Sequence, residues 1–271
     1  MAYGVSPEDM SGDVSDRLAS LAKNQAGKCW WCGARADSHE HKYKRTDLRR
    51  LANGDDLIWA NDSVLRPIRS HRKSKDVLFG LILCKRCNDT RSQPFDRAYD
   101  KYAAYVSQNI SRLWRAPGIR LEHVYGDGWE QEAKNLARYF AKHFGCLIAE
   151  NGFPPPETLL RFLSGQDETK DFSLCLIKDQ ERWLIYKALR GKVKGEPGLW
   201  ITPGLGWVND HRLTGYKAAT LIGHVGIQFE WHEDWGPQDS FYVHPHPVLN
   251  VVKAARTTRR AIRRLGTDHR Q

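Results

Sequence analysis

The 271-residue chain has no apolar run approaching the roughly 18 to 20 residues of a bilayer span, which excludes a membrane-crossing helix, and no membrane-embedded partner is expected. Its first residues, with Glu8, Asp9, Asp13 and Asp16, lack the basic-then-apolar order of a secretion signal, so the expected location is the cytoplasm. There is no internal repeat at a fixed period and no low-complexity tract, which excludes solenoids and compositional tails. Cysteine is scarce, with six in all, and disulfides are rare in the cytosol. Four of the six stand in C-x-x-C pairs, a pattern that argues for metal rather than cross-links. Apolar residues at 41% and charged residues at 27% are globular values and exclude a wholly disordered chain.

What is present in excess is positive charge, +10 overall. Residues 1–100 carry 18 Lys+Arg against 14 Asp+Glu, residues 101–247 carry 17 against 17, and residues 248–271 carry 7 against 1. Localised positive charge attracts phosphate backbones and releases counterions, so nucleic acid is the first partner to consider, with an anionic membrane surface behind it. A solvated basic face would give the same counts.

Apolar spacing divides the chain. Residues 1–28 read as a polar arm with a short helix, and residues 29–107 are dominated by the cysteine pairs, with "DVLFGLILC" as a buried strand entering the second. Phe95, Tyr99, Tyr102 and Val106 mark one core-facing helix; Leu136, Phe140, Phe144 and Leu147 mark another, ending near Gly152. "FPPP" stops that helix, and a short one starts near Glu157, making 108–168 a helical extension. In 169–271 the β-branched and aromatic runs "FSLCLI", "GLWITPG", "KAATLIGHVGIQFEW" and "SFYV" predict a small antiparallel sheet, interrupted by the more helical "QERWLIYKALR". "LNVVKAARTTRRAIRRLG" reads as a closing basic helix. The fold class expected is α+β, in two parts.

Cys29-x-x-Cys32 and Cys84-x-x-Cys87 are two tight knuckles, each able to bring two thiolates to one tetrahedral ion; together they make a closed structural zinc site. A redox dithiol or buried free thiols are the alternatives. Cys146 and Cys175 lie in apolar surroundings and read as core. The gap between knuckles exceeds that of a zinc ribbon, and the inserted segment is basic: Lys42, Lys44, Arg45, Arg49 and Arg50, then Arg66, Arg69, Arg72, Lys73 and Lys75. Phosphate contact is the functional reading and a solvated loop the plain one.

After the first knuckle come His39, Glu40 and His41; after the second, Asn88 follows Cys87 directly. Histidine can take a proton from water at neutral pH, and an oxygen-bound divalent ion can stabilise a scissile phosphate. The order C-x-x-C-G, Glu-His, strand, C-x-x-C-N resembles the HNH endonucleases, in the four-cysteine zinc branch that includes phage recombination endonucleases. The resemblance covers about residues 29–107 and implies a zinc-stabilised ββα-metal (treble-clef) module that cleaves DNA, with RNA left open. It implies His41 as general base, Glu40 and Asn88 as ligands of a catalytic Mg2+ or similar ion, and Arg91 on a phosphate. Glu40 stands where Asp or His is usual, no histidine follows Cys87, and the family's middle asparagine has no firm counterpart, Asn61 being a candidate. His39 is an alternative ligand to Glu40 or points to the opposite face. A treble-clef finger that binds nucleic acid without chemistry has the same cysteine frame.

The second half resembles no family. His232, Glu233 and Asp234, with His244 and His246, suggest a second metal site or surface polar groups; Trp200, Trp207, Trp231 and Trp235 suggest base stacking or core. The run Lys253 to Arg264, including Arg259, Arg260 and Arg263, has six positive charges and no acid, and suits nucleic acid or a solubilising helix face.

Overall fold

The computed structural model describes residues 26–52, 57–60, 65–68, 70, 74–167, 171–189, 198–210, 212–256 and 258–259. Residues 1–25 of the expected N-terminal arm, and Arg69, Arg72, Lys73, Arg260, Arg263 and Asn61, lie outside the described residues. The fold is α+β.

The first knuckle leads into β1 (Ser38–His41), which pairs antiparallel with β4 (Leu78–Leu83), and the second knuckle follows β4 at once. Between the two strands lie α1 (Arg45–Ala52) and a small β2–β3 ribbon (Ile58–Ala60 and Leu65–Pro67). A wide π-type turn, Arg86–Arg91, then feeds α2 (Gln93–Leu113), which buries Phe95, Tyr99, Tyr102, Val106, Ile110 and Leu113 at helical spacing. The short α3 (Leu121–Tyr125) falls in a segment whose glycines and proline read as turn.

The centre of the molecule is α4 (Trp129–Glu150). Its buried residues include Leu136, Phe140, Phe144 and Ile148 but also Ala133, Arg138, Tyr139, Lys142 and His143, so no face is left to solvent along its middle. A helix enclosed on all sides belongs to the interior. On one side Gly145 accepts the indole of Trp30, from inside the first knuckle, so closely that a Cβ at 145 would collide with the ring. On the other, Phe144 stacks on Phe229 of the sheet with centroids 5.0 Å apart. One continuous cluster of buried side chains therefore runs from Cys29 to Leu249, crossing the division read between residues 168 and 169.

Following α5 (Glu157–Leu163), the chain builds the sheet: β5 (Phe172–Asp179), α6 (Gln180–Leu189), β6 (Leu199–Ile201), β7 (Leu205–Asn209), β8 (Arg212–Ile222), β9 (Val225–His232) and β10 (Asn250–Val252). The order is β10-β5-β9-β8-β6, with β7 also on β8. The β8–β9 hairpin closes through Gly223 and His224, and Gly223 takes φ +60°, a value that glycine adopts without steric cost.

Three expectations change. The sheet is not wholly antiparallel, because β10 runs parallel to β5. That strand is the start of the segment read as a basic helix: β-branched Val251 and Val252 fill the open edge of β5, and helical geometry begins only at Arg256. "SFYV" is a 3-10 turn, Phe241–Val243, in which Phe241 and Tyr242 are buried. Its aromatic composition reflects burial rather than strand pairing. Among the described residues, no helix is long and apolar enough to cross a membrane.

Candidate metal centre and the polar cluster beside it

Local backbone chemistry shapes both knuckles. In the first, Gly33 adopts φ +75° and donates its N–H to the Cys29 carbonyl at 2.8 Å, while Cys29 N–H donates to Ala34 at 2.6 Å. Trp30 N–H donates to the Ile82 carbonyl at 3.0 Å, fastening this loop to β4. In the second, Asn88 N–H donates to the Cys84 carbonyl at 2.9 Å. The result brings the sulfurs of Cys29, Cys32, Cys84 and Cys87 within 4.8 Å of one another, with Cys32 and Cys84 Sγ 3.6 Å apart. Tetrahedral zinc with Zn–S of about 2.3 Å needs sulfurs about 3.8 Å apart, so the four residues fit a zinc ion. Burial pushes the thiols of Cys29 and Cys87 up from the usual cysteine range. The thiolates that zinc requires would thus draw their stability from the ion. Arg91 lies beside this centre, its guanidinium 4.3 Å from the Trp31 ring centroid and 3.7 Å from Cys87 Sγ, with Nη2 3.4 Å from Ser164 Oγ.

The knuckles also bring Asn88 onto β1. Its Nδ2 donates to Ser38 Oγ at 3.0 Å and to the His39 carbonyl at 3.2 Å, flanking Glu40. Its Oδ1 points to Lys142, whose Nζ donates to Asn88 Oδ1 at 3.4 Å, to Ser92 Oγ at 3.2 Å and to Glu40 Oε2 at 3.0 Å. Glu40 and Asn88 do converge on one cation, and that cation is the ammonium of Lys142. The Lys142 side chain is 1% exposed and that of Glu40 14%. Burial raises the Glu40 carboxyl above its usual range against the opposing pull of Lys142. Burial also opposes the ammonium, yet Glu40 and Asp96 beside it hold Lys142 above its ordinary value.

This arrangement does not fit a divalent ion. The Glu40–Lys142 pair has no net charge, and both the carboxylate and the amide oxygen are directed at Nζ. An ion there would compete with the ammonium for the same carboxylate and amide oxygens, and repulsion from Nζ would offset its attraction to Glu40.

The other expected site residues divide by environment. His41 ends β1, half-buried opposite Leu78. His39 is exposed and its Nδ1 lies 2.9 Å from the Phe79 carbonyl. Lys42 pairs with Glu150 at 2.9 Å, and Lys44 pairs with Asp100 at 3.0 Å and Asp96 at 3.4 Å over the rings of Tyr99 and Tyr139. Both lysines are thus turned into the molecule. Arg45 is half-buried, and Arg259 is exposed. In the second half, His232 packs against Trp207 and Trp235, Glu233 pairs with Arg212, and His244 pairs with Asp239. Trp231 is core, whereas Trp200 carries Arg182 over its ring at 3.9 Å and lines a cleft of about 480 Å3 with Tyr43 and Trp59.

Sequence reading missed Lys142 and a basic cleft. The signal for Lys142 was a charged residue four after Arg138 in "ARYFAKHFGC", among aromatic and small residues. The cleft, about 530 Å3, is lined by Arg112, Arg115, Arg120, His123 and His246, with Pro117 and Val248. It joins residues over a hundred positions apart, beyond the reach of local pattern.

Comparison of the chain with protein-family models, curated proteins and solved structures finds no match.

Proposed function

We propose that the protein hydrolyses DNA phosphodiester bonds as an HNH-type endonuclease whose ββα module is ordered by zinc. The observation that carries this reading is the meeting of Glu40, next to His41, with Asn88 around one cationic group, beside four zinc-competent cysteines. In the reaction His41 takes a proton from water, the water oxygen bonds to phosphorus, and the ester P–O bond breaks, its leaving oxygen taking up a proton. The Glu40–Lys142 pair and the Asn88 bonds to Ser38 and His39 hold the strand that presents His41. Arg45, Arg91, the inserted Arg69, Arg72 and Lys73, the tail arginines 259, 260 and 263, and the cleft arginines 112, 115 and 120 supply phosphate contacts. Lys42 and Lys44, paired internally, contribute to the module's rigidity.

A second reading, a zinc-ordered nucleic-acid-binding protein without chemistry, is favoured by one observation: the cation position holds an ammonium with almost no access to solvent. Plasmid nicking distinguishes the two. His41→Ala should lower the cleavage rate by about 10² to 10⁴ while zinc content and DNA affinity persist. Equal rates would remove the mechanism, and salt-sensitive binding without any cleavage by the parent protein would establish the second reading.

A further inference from the structure

We propose that Lys142 is the resident cation of the Glu40–Asn88 site and keeps divalent metal ions out of it. The inference goes beyond the proposed activity, because it concerns which cation occupies the site whether or not DNA is cut.

Three observations carry it. First, Nζ has three oxygen partners, Glu40 Oε2, Asn88 Oδ1 and Ser92 Oγ, which matches the three N–H donors of an ammonium. Second, those partners are themselves fixed. Asn88 is held by Ser38 Oγ and the His39 carbonyl, and Ser92 Oγ donates to the Asn88 carbonyl and lies 3.2 Å from Asp96 Oδ2. Third, Lys142 has nowhere to go. It sits on the enclosed middle of α4, between the cysteine module and the sheet, and a lysine usually keeps its head in water by extending along a surface that is absent here. An ion entering between Glu40 and Asn88 would have to expel a buried ammonium or bind against it. The positive charge that a metal would bring is built into the chain.

The test is Mn2+ binding to the zinc-loaded full chain, followed by the loss of the free-ion electron paramagnetic resonance signal. The parent protein and Glu40→Gln should bind Mn2+ indistinguishably. Lys142→Met leaves Glu40 and Asn88 without their cation and should gain a site at least about tenfold tighter, lost again in Lys142→Met/Glu40→Gln. A stoichiometric Mn2+ site in the parent protein that Glu40→Gln abolishes would overturn the inference. A zinc-retaining Lys142→Met that still ignores Mn2+ would also overturn it, since exclusion would then not depend on the lysine. Where Lys142→Met loses its zinc, the parent and Glu40→Gln decide the matter alone. Nicking by the parent in buffers freed of Mg2+ adds a separate arm: under this inference, any His41-dependent cleavage survives there undiminished. Loss of His41 dependence counts against the nuclease reading and leaves the Mn2+ result standing.

Discussion

Two polar clusters lie side by side in this protein and solve the same problem differently. Four cysteines converge, three of them buried, with sulfurs spaced for a cation supplied from outside. One residue further along the chain, Asn88 joins Glu40 around a cation that the chain supplies itself. The first cluster could hold an ion; the second is an ion pair completed by hydrogen bonds. Spacing makes the first look like a metal site, and the resemblance to HNH endonucleases implied one at the second. The difference comes from what α4 brings to each: the indole-accepting Gly145 to the first, an ammonium to the second.

The comparison breaks most visibly at zinc. Stripping the ion with a chelator, or replacing Cys87 by Ser, should remove stability on the order of 10 kcal/mol from the cysteine module. The indoles of Trp30 and Trp31 lie within it, and Trp30 packs on α4, so intrinsic fluorescence should report the loss and thermal melting should show it spreading to the shared core. Unchanged melting in the zinc-free protein would mean that the four cysteines are simply core.

A smaller effect is expected at the neighbouring pair. Lys142→Met leaves the Glu40 carboxylate buried and unpaired, and urea unfolding should show a loss of about 3 to 5 kcal/mol. The double variant Glu40→Gln/Lys142→Met should recover most of it, because the penalty comes from the orphaned charge rather than from lost packing. Additive losses would mean that the two side chains are not coupled.

How much of this could be read from the chain follows from locality. The knuckles and the stripe Phe95, Tyr99, Tyr102 and Val106 rest on spacings of a few residues, and each forms where expected. Apolar residues at 136, 140, 144 and 147 revealed one face of α4 but not that its other faces are covered too, because that depends on a sheet formed some thirty to a hundred residues later. For the same reason Lys142 was passed over, and Lys42 and Lys44 read as phosphate ligands, although their carboxylate partners lie in α2 and α4. β10 was illegible because its partner strand begins 78 residues earlier, at Phe172. Buried charge is decided by tertiary neighbours, and period and composition do not name them.

His143, next to Lys142, offers the smallest and most selective test, since the two adjacent residues are buried on one helix with opposite outcomes. Lys142 keeps its charge because acceptors surround it. His143 instead packs edge-on to Phe79 and Phe144, and its Nε2 has no hydrogen-bond partner among the described residues. Burial, with Lys142 and Lys42 adding repulsion, pushes its pKa down to about 3. The unfolded chain, titrating near 6.5, therefore binds more protons than the native state between those values, and stability falls as pH falls through that window. Between about pH 7 and pH 4.5 the loss from this residue should be roughly 3 kcal/mol. Glu40 and Asp47, whose carboxyls burial raises, act with the opposite sign, and His224, held down to about 4, acts with the same sign. All three are common to the parent and to His143→Phe, which keeps an aromatic ring against Phe79 and gives up no hydrogen bond at Nε2. The difference between the two unfolding curves across that range should therefore isolate His143. The variant should be the more acid-resistant of the two, and parallel curves would place the imidazole in contact with solvent or with a partner that stabilises its charged form.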